Sequence, residues 1–145
     1  MSKTNSINLL YYENIIKIQL EDNKLYVIFL GESLNDKIFL KMLEKMELFF
    51  NICQKKNTKF YGIYDFSKYK TINFPSLYSY IKKGILFLNK HRDFFKTNLY
   101  GTIFLTESTM ARNVSELVLN QYTPIRPYKF LTTKEEIVFD FTFDN

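Results

Sequence analysis

The apolar and polar residues of this chain alternate in a way that predicts strands first and helices afterwards. Two apolar runs, at residues 14–20 and 25–30, flank a polar segment at residues 21–24. Ile, Val, Tyr and Phe favour strands, and Asp and Asn tolerate turn conformations, so these runs predict a β-hairpin. Residues 7–12 are a candidate for one further, short edge strand.

A helical period follows the hairpin. Apolar residues recur three and four positions apart at Phe39, Met42, Met46, Phe49 and Cys53. This spacing predicts an amphipathic helix that packs against a sheet, with Ser33 or Asn35 as its N-cap.

The remaining elements alternate between strands and helices. Short apolar runs predict strands at residues 60–64, 99–106 and 128–131. Periodic segments predict a long helix at residues 75–95, which Pro75 opens, and a short one that contains residues 110–118.

The C-terminal end gives two conflicting signals. Thr133 with Glu136, or Thr132 with Glu135, forms a capping box, which is typical of a helix start. The apolar residues that follow instead alternate as in a strand, at Ile137, Phe139, Phe141 and Phe143. We interpret this end as a short helix followed by a tail.

Together these elements predict a single α/β domain over residues 1–145, with frayed ends at residues 1–6 and 142–145. Strand–helix–strand units with right-handed crossovers produce parallel strands, whereas the opening hairpin adds an antiparallel pair. We therefore expect a mixed sheet of four to five strands covered by about four helices.

The segment after the central strand resembles that of STAS domains, the fold of anti-sigma-factor antagonists and of the cytosolic tails of sulfate transporters. In that family the strand ends in D-[LF]-S and a D-S-S-G-L loop opens the next helix. Asp65-Phe66-Ser67 and the run from Ile72 to Leu77 are similar to these motifs at the same spacing. Residues 130–136 also resemble the family's ending, and the resemblance covers about residues 14–141.

The resemblance implies a STAS-like fold and a role as a regulatory or interaction module. The order of the elements also resembles that of STAS/Sec14-type proteins. The serine that partner kinases phosphorylate in antagonist STAS domains falls at Pro75, and Asn73 replaces the loop Asp. Ser76, one position later, is the candidate phosphorylation site.

The predicted function is a non-catalytic module that uses the loop at residues 67–76 to bind another protein. Its candidate binding residues are Ser67, Lys70, Thr71, Asn73, Ser76, Ser108 and Arg112. One alternative is a lipid or nucleotide bound at the carboxyl ends of the strands, beside helix N-termini that favour anions. A weaker alternative is an enzyme that uses Asp65 and Glu107 as acid and base.

Composition narrows these alternatives only slightly. The chain has 20 Lys and Arg against 15 Asp and Glu, but the lysines are dispersed and no nucleic-acid motif occurs. One Cys and one His do not make a zinc site, and phosphate-loop and nucleophile-elbow strings are missing, so we expect no metal or cofactor. His91 is interpreted as part of a solvated helix face.

The sequence contains no apolar run of the roughly 18 residues that a membrane span needs. Its start also lacks the features of a signal peptide. We therefore expect a soluble, cytoplasmic protein, with homodimer formation left open.

Overall fold

The computed structural model describes residues 7–13, 15–30, 35–68, 74–107 and 109–143. Its strands are β1 (Ile7–Glu13), β2 (Ile16–Glu21), β3 (Lys24–Phe29), β4 (Phe60–Asp65), β5 (Leu99–Leu105) and β6 (Tyr128–Leu131). Its helices are α1 (Asp36–Lys56), α2 (Phe74–Lys90), α3 (Arg92–Asn98) and α4 (Thr109–Gln121). A 3-10 turn covers Lys134–Glu136.

The six strands form one mixed sheet in which the order across the sheet follows the order along the chain. The first three strands are antiparallel, and β3 to β6 are parallel to one another. The predicted α/β class, hairpin and parallel strands are therefore confirmed. The sheet has six strands rather than four to five because the candidate edge strand is present as β1, paired along β2 from Ile7↔Glu21 to Glu13↔Ile16.

Local backbone chemistry explains where these elements turn. Asp22 has a left-handed conformation (φ 56°) in the two-residue connection of the β2–β3 hairpin. Asn35 caps α1, since its side-chain Oδ1 accepts a hydrogen bond of 2.9 Å from the Ile38 N–H. Asn57 ends that helix with φ 53°, a conformation that Asn adopts more readily than most residues.

The helical layer covers one face of the sheet. Each parallel strand lies on the same side of its predecessor, so right-handed crossovers place all the connecting helices on that face. Alternate strand residues such as Leu25, Val27 and Phe60 pack there. The predicted α1 stripe is confirmed as their partner and consists of buried Phe39, Met42, Met46, Phe49 and Cys53, with Phe50 beside it.

The second face of the sheet is covered by the C-terminal segment rather than by a helix. Tyr26, Tyr61, Ile63, Ile103 and Leu105 are buried on this face. Ile137, Phe139 and Phe141 pack against them. The predicted short C-terminal helix is therefore only the 3-10 turn with its capping box, and the alternation that followed it marks an extended segment. Thr142 and Phe143, expected to be frayed, also contact the protein.

The prediction of one continuous helix at residues 75–95 is wrong. It breaks at His91 into α2 and α3, and α3 continues to Asn98. Asn98 is buried, and its side-chain amide donates to the Thr58 carbonyl at 2.8 Å and to the Cys53 carbonyl at 3.4 Å. These bonds tie the end of α3 to the chain that leaves α1.

Candidate functional site

Most of the predicted binding loop lies outside the described residues. The candidate binding residues that lie outside are Lys70, Thr71, Asn73, Ser108 and the side chain of Ser76, whose backbone belongs to the first turn of α2. The proposed binding roles of these residues, and phosphorylation at Ser76, stay predictions. Ser67 and Arg112 are described in full, and they lie in two different settings.

Ser67 forms a tight turn with the last residue of β4. The Asp65 carboxylate accepts hydrogen bonds on Oδ1 from the Ser67 backbone N–H at 2.9 Å and from the Ser67 Oγ at 2.6 Å. A short polar side chain that bonds the backbone two residues later is an Asx-type turn, which ends the strand. These two residues therefore shape the start of the loop.

Asp65 points to the face of the sheet that the C-terminal segment covers. Its charge acts on Tyr26, whose pKa is raised to about 12 by burial first and then by Glu21 and Asp65. Glu107, the other half of the proposed acid–base pair, is an exposed residue after β5. Among the contacts of the described residues, none joins the carboxylates of Asp65 and Glu107.

Arg112 belongs to a groove between α4 and the edge strand β6. Its guanidinium lies 5.1 Å from the centre of the Phe130 ring, and its Nε donates to Glu116 Oε1 at 3.1 Å. The groove encloses about 290 Å³ and is lined by Arg112, Glu116, Leu119, Asn120, Tyr128 and Phe130. We call these six residues the α4–β6 groove.

The local sequence explains the shape of this groove. Positions 112, 116, 119 and 120 lie on one face of a helix because they are separated by four, seven and eight residues. On the strand side, Tyr128 and Phe130 are two residues apart and point to the same face. Phe130 also stacks on Phe104 of β5, with ring centres 5.0 Å apart, which fixes the floor of the groove.

The backbone of β6 adds hydrogen-bonding groups next to the groove. The carbonyls of Pro127 and Leu131 accept from β5, at 3.0 Å from Thr102 N and 2.9 Å from Thr106 N. Successive residues of a strand direct their backbone groups to opposite sides, so those of Tyr128 and Phe130 point away from β5. Because β6 is the last of the described strands, they point to the outer edge of the sheet, where none of the described residues pairs with them, and we call this the open edge.

The residues of this groove can be recognised in the sequence, but the sequence does not show that they lie together. The spacing on α4 and the two aromatic residues of β6 are visible in the sequence. Nothing local indicated that β6 is an edge strand or that the outer face of α4 extends beside it. Arg112 is a predicted binding residue because it lies near a helix start, whereas the structure places its guanidinium in the groove.

His91 is part of a partly buried cluster rather than of a solvated helix face. Its side chain is only 11% exposed, its Nε2 lies 2.9 Å from Glu47 Oε2, and its ring contacts Phe50 and Phe87. Lys90 donates to the same Glu47 oxygen at 2.7 Å, and this bond is the main reason why the pKa of Glu47 is lowered. The cluster fastens α2 to α1 and needs no ligand to explain it.

The chain has one cysteine, Cys53. Cys53 is buried in the core, and burial raises its thiol pKa, which disfavours the reactive thiolate. Within the same residues, His, Cys, Asp and Glu do not cluster in threes as a metal site would need.

The described helices include none that is both long and apolar enough to cross a membrane. Comparison with protein-family models, with curated proteins and with solved structures gave no match to this chain.

Proposed function

We propose that this chain is a non-catalytic protein-interaction module that binds an extended peptide segment along β6. The observation that carries the proposal is the junction of an open strand edge with the α4–β6 groove. An extended peptide that pairs with an exposed strand gains main-chain hydrogen bonds, and pockets for its alternate side chains supply specificity.

The size of the groove favours a side chain over a whole small molecule. Sites for drug-sized ligands have volumes of about 300–1,000 Å³, and this groove, at about 290 Å³, lies at the lower limit. Leu119, Tyr128 and Phe130 offer an apolar floor, while Arg112 and Glu116 neutralise each other at its rim. The polar groups of Arg112, Glu116 and Asn120 make up the rest of the lining, so an uncharged side chain that joins an apolar body to a hydrogen-bonding group, such as Tyr, fits it best.

The chain-order arrangement of the strands argues against the alternative of a ligand at their carboxyl ends. Open α/β sheets bind ligands where the strand order reverses and neighbouring helices diverge to opposite faces. The six described strands contain no such reversal. The resemblance to STAS domains supports an interaction module by analogy, and the loop at residues 67–76 stays a second predicted binding face.

A matched pair of variants tests the strand pairing directly. Tyr128 is the first residue of β6 and its N–H points to the open edge, so proline is tolerated there by the fold. Tyr128→Pro and Tyr128→Ala both remove the side chain, but only proline also removes the N–H that a paired peptide needs.

The probe is a dodecapeptide selected on the wild-type protein from a random phage-displayed library and labelled with fluorescein. We expect its Kd, measured by fluorescence anisotropy, to rise at least tenfold more for Tyr128→Pro than for Tyr128→Ala. Failure to select any peptide, or equal affinities of the two variants, would contradict the proposal. Circular dichroism and urea unfolding serve as the control that both variants are folded.

A further inference from the structure

The outer face of α1 carries a combination of residues that its role in the core does not explain. Leu40, Leu48 and Ile52 are 52%, 56% and 52% exposed. They lie on the side of the helix opposite Met42, Met46 and Cys53, which face the sheet. A helix of a globular domain normally places polar residues on the outer side.

Lysines surround these exposed apolar side chains. Lys37, Lys41 and Lys45 recur at intervals of four along the helix, and Lys55 and Lys56 continue the basic series in the last turn. Glu44 is the only acidic residue among them. We call the three apolar residues, the five lysines and Glu44 the outer α1 face.

The other acidic residues of α1 are neutralised from α2 rather than by these lysines. Asp36 pairs with Lys83 at 3.2 Å, and Glu47 pairs with Lys90 at 2.7 Å. None of the ion pairs formed by the described residues uses a lysine of the outer α1 face. The face is therefore strongly positive around an apolar centre.

We propose that the outer α1 face docks the protein onto an anionic lipid bilayer surface. Helices that lie in a bilayer interface combine apolar residues, which enter the acyl boundary, with lysines that contact anionic headgroups. Long lysine side chains allow both contacts at once, since the charged end extends to the headgroups while the stem stays near the apolar residues. The site is separate from the α4–β6 groove.

Charge and polarity distinguish this occupant from others. A second copy of the chain that met the same face would bring two sets of lysines together, which is unfavourable. A nucleic acid would satisfy the lysines but would gain nothing from Leu40, Leu48 and Ile52. An anionic bilayer is the surface that interacts favourably with both the lysines and the apolar residues of the outer α1 face.

Vesicle flotation tests the proposal with the full chain. We expect the protein to float with vesicles of 70% phosphatidylcholine and 30% phosphatidylserine at about 100 mM NaCl, but not with pure phosphatidylcholine, because the lysines need anionic headgroups. Since salt screens this attraction, about 500 mM NaCl should release the protein. Absence of flotation with the phosphatidylserine vesicles would overturn the proposal.

Charge-reversal variants locate the binding surface. Each lysine near an anionic surface contributes roughly a fivefold gain in binding, so Lys41→Glu with Lys45→Glu should weaken it by at least about 25-fold. Lys68→Glu with Lys96→Glu changes the net charge equally at exposed positions away from this face and is the matched control. Equal losses in both pairs would show that net charge alone drives binding and would overturn the site.

Apolar variants separate a bilayer from an acidic partner. Leu48→Gln with Ile52→Gln should reduce flotation about tenfold or more, because interfacial binding scales with buried apolar area. Leu86→Gln, at an apolar residue of α2 that is 71% exposed, is the control and should bind like the wild type. Unchanged flotation of the Leu48 and Ile52 variant, together with equally tight binding to polyglutamate, would overturn the bilayer in favour of an acidic protein surface.

Discussion

The ring of Phe141 packs against the backbone of Gly101 so closely that position 101 has no room for a side chain. A Cβ at position 101 would come within 2.6 Å of Phe141 Cε2 and 2.8 Å of Phe141 Cγ. The C-terminal segment can therefore pack on the second face of the sheet only because position 101 is glycine. Tyr61, in register with Gly101, holds the same segment by donating its hydroxyl to the Phe141 carbonyl at 3.0 Å.

Replacing this glycine should loosen the C-terminal segment. We expect Gly101→Ala to lower the free energy of unfolding by about 1–3 kcal/mol, since the Phe141 ring must move away from its site. Urea unfolding measures the change. In a Phe141→Ala background the same substitution should cost much less, and full additivity of the two changes would contradict the contact.

Gly84 is the matched control for this substitution. A Cβ there meets nothing within 4 Å, so it is not the close contact that glycine can indicate inside a helix. Gly84→Ala should therefore raise the free energy of unfolding by about 0.5–1 kcal/mol through helix propensity.

Arg126 joins the C-terminal segment to the chain around β5 through its planar guanidinium. Its Nε donates to the Leu99 carbonyl at 2.9 Å, and its Nη2 donates to the Tyr100 carbonyl at 3.2 Å and to the Thr142 carbonyl at 2.5 Å. Lysine keeps the charge but cannot reproduce this geometry. Arg126→Lys should thus destabilise the protein by about 1–3 kcal/mol in urea unfolding.

Arg112→Lys provides the comparison for that variant. The Arg112 side chain is largely exposed, and its described ion pair is with Glu116 on the same helix. Exposed pairs of this kind contribute about 0.3–0.5 kcal/mol. A loss at Arg126 no larger than the loss at Arg112 would contradict the role of the guanidinium.

The Glu47 cluster should make stability depend on acidic pH. Hydrogen bonding to Lys90 lowers the folded-state pKa of Glu47 below its ordinary value of 4.5. The stabilisation is therefore present above about pH 4.5 and is lost as the pH falls through the lowered folded-state pKa. Glu47→Gln should destabilise the protein by about 0.5–1 kcal/mol at pH 7, a typical value for a partly exposed pair.

Thermal unfolding at several pH values tests this linkage. The difference between the wild type and Glu47→Gln should shrink toward zero as the pH falls from about 4.5 through the lowered folded-state pKa of Glu47. Glu44→Gln, at an exposed position of the same helix, should show little difference at any pH. A difference at Glu47 that does not change with pH would contradict the ion-pair explanation.

Phe50 is the centre of an aromatic cluster between α1, β4 and the α2–α3 pair. Its ring contacts those of Phe49, Phe60, Phe87, His91, Phe94 and Phe95. Phe50→Ala should cost about 3–5 kcal/mol in urea unfolding because it leaves a cavity in the core. Leu48→Ala, two positions away on the exposed side of the same helix, should change stability by about 0.5 kcal/mol or less.

The sequence predicted the elements whose signals are local. The stripe from Phe39 to Cys53 has one period over 15 residues, and the structure confirms that it faces the sheet. Asn35 and the polar turn at residues 21–24 likewise act through neighbours in the chain. Such features depend on spacing alone and can be recognised before the fold is known.

Features that depend on distant residues could not be predicted in this way. His91 and Glu47 are 44 residues apart, so the sequence showed His91 only among its charged neighbours. The alternation from Ile137 to Phe143 was visible, but its partner face is exposed only because the helices all cover the opposite side. The α4–β6 groove could not be predicted either, because only the order of the strands shows that α4 and β6 meet at an edge of the sheet.

The chain-order arrangement of the strands has a consequence for how the protein folds during synthesis. Each strand pairs with the strand made just before it, so the sheet can grow one strand at a time as the chain leaves the ribosome. The apolar face around Tyr61 and Ile103 stays uncovered until residues 137–143 have emerged. Nascent chains paused before that point would expose the surface that chaperones recognise.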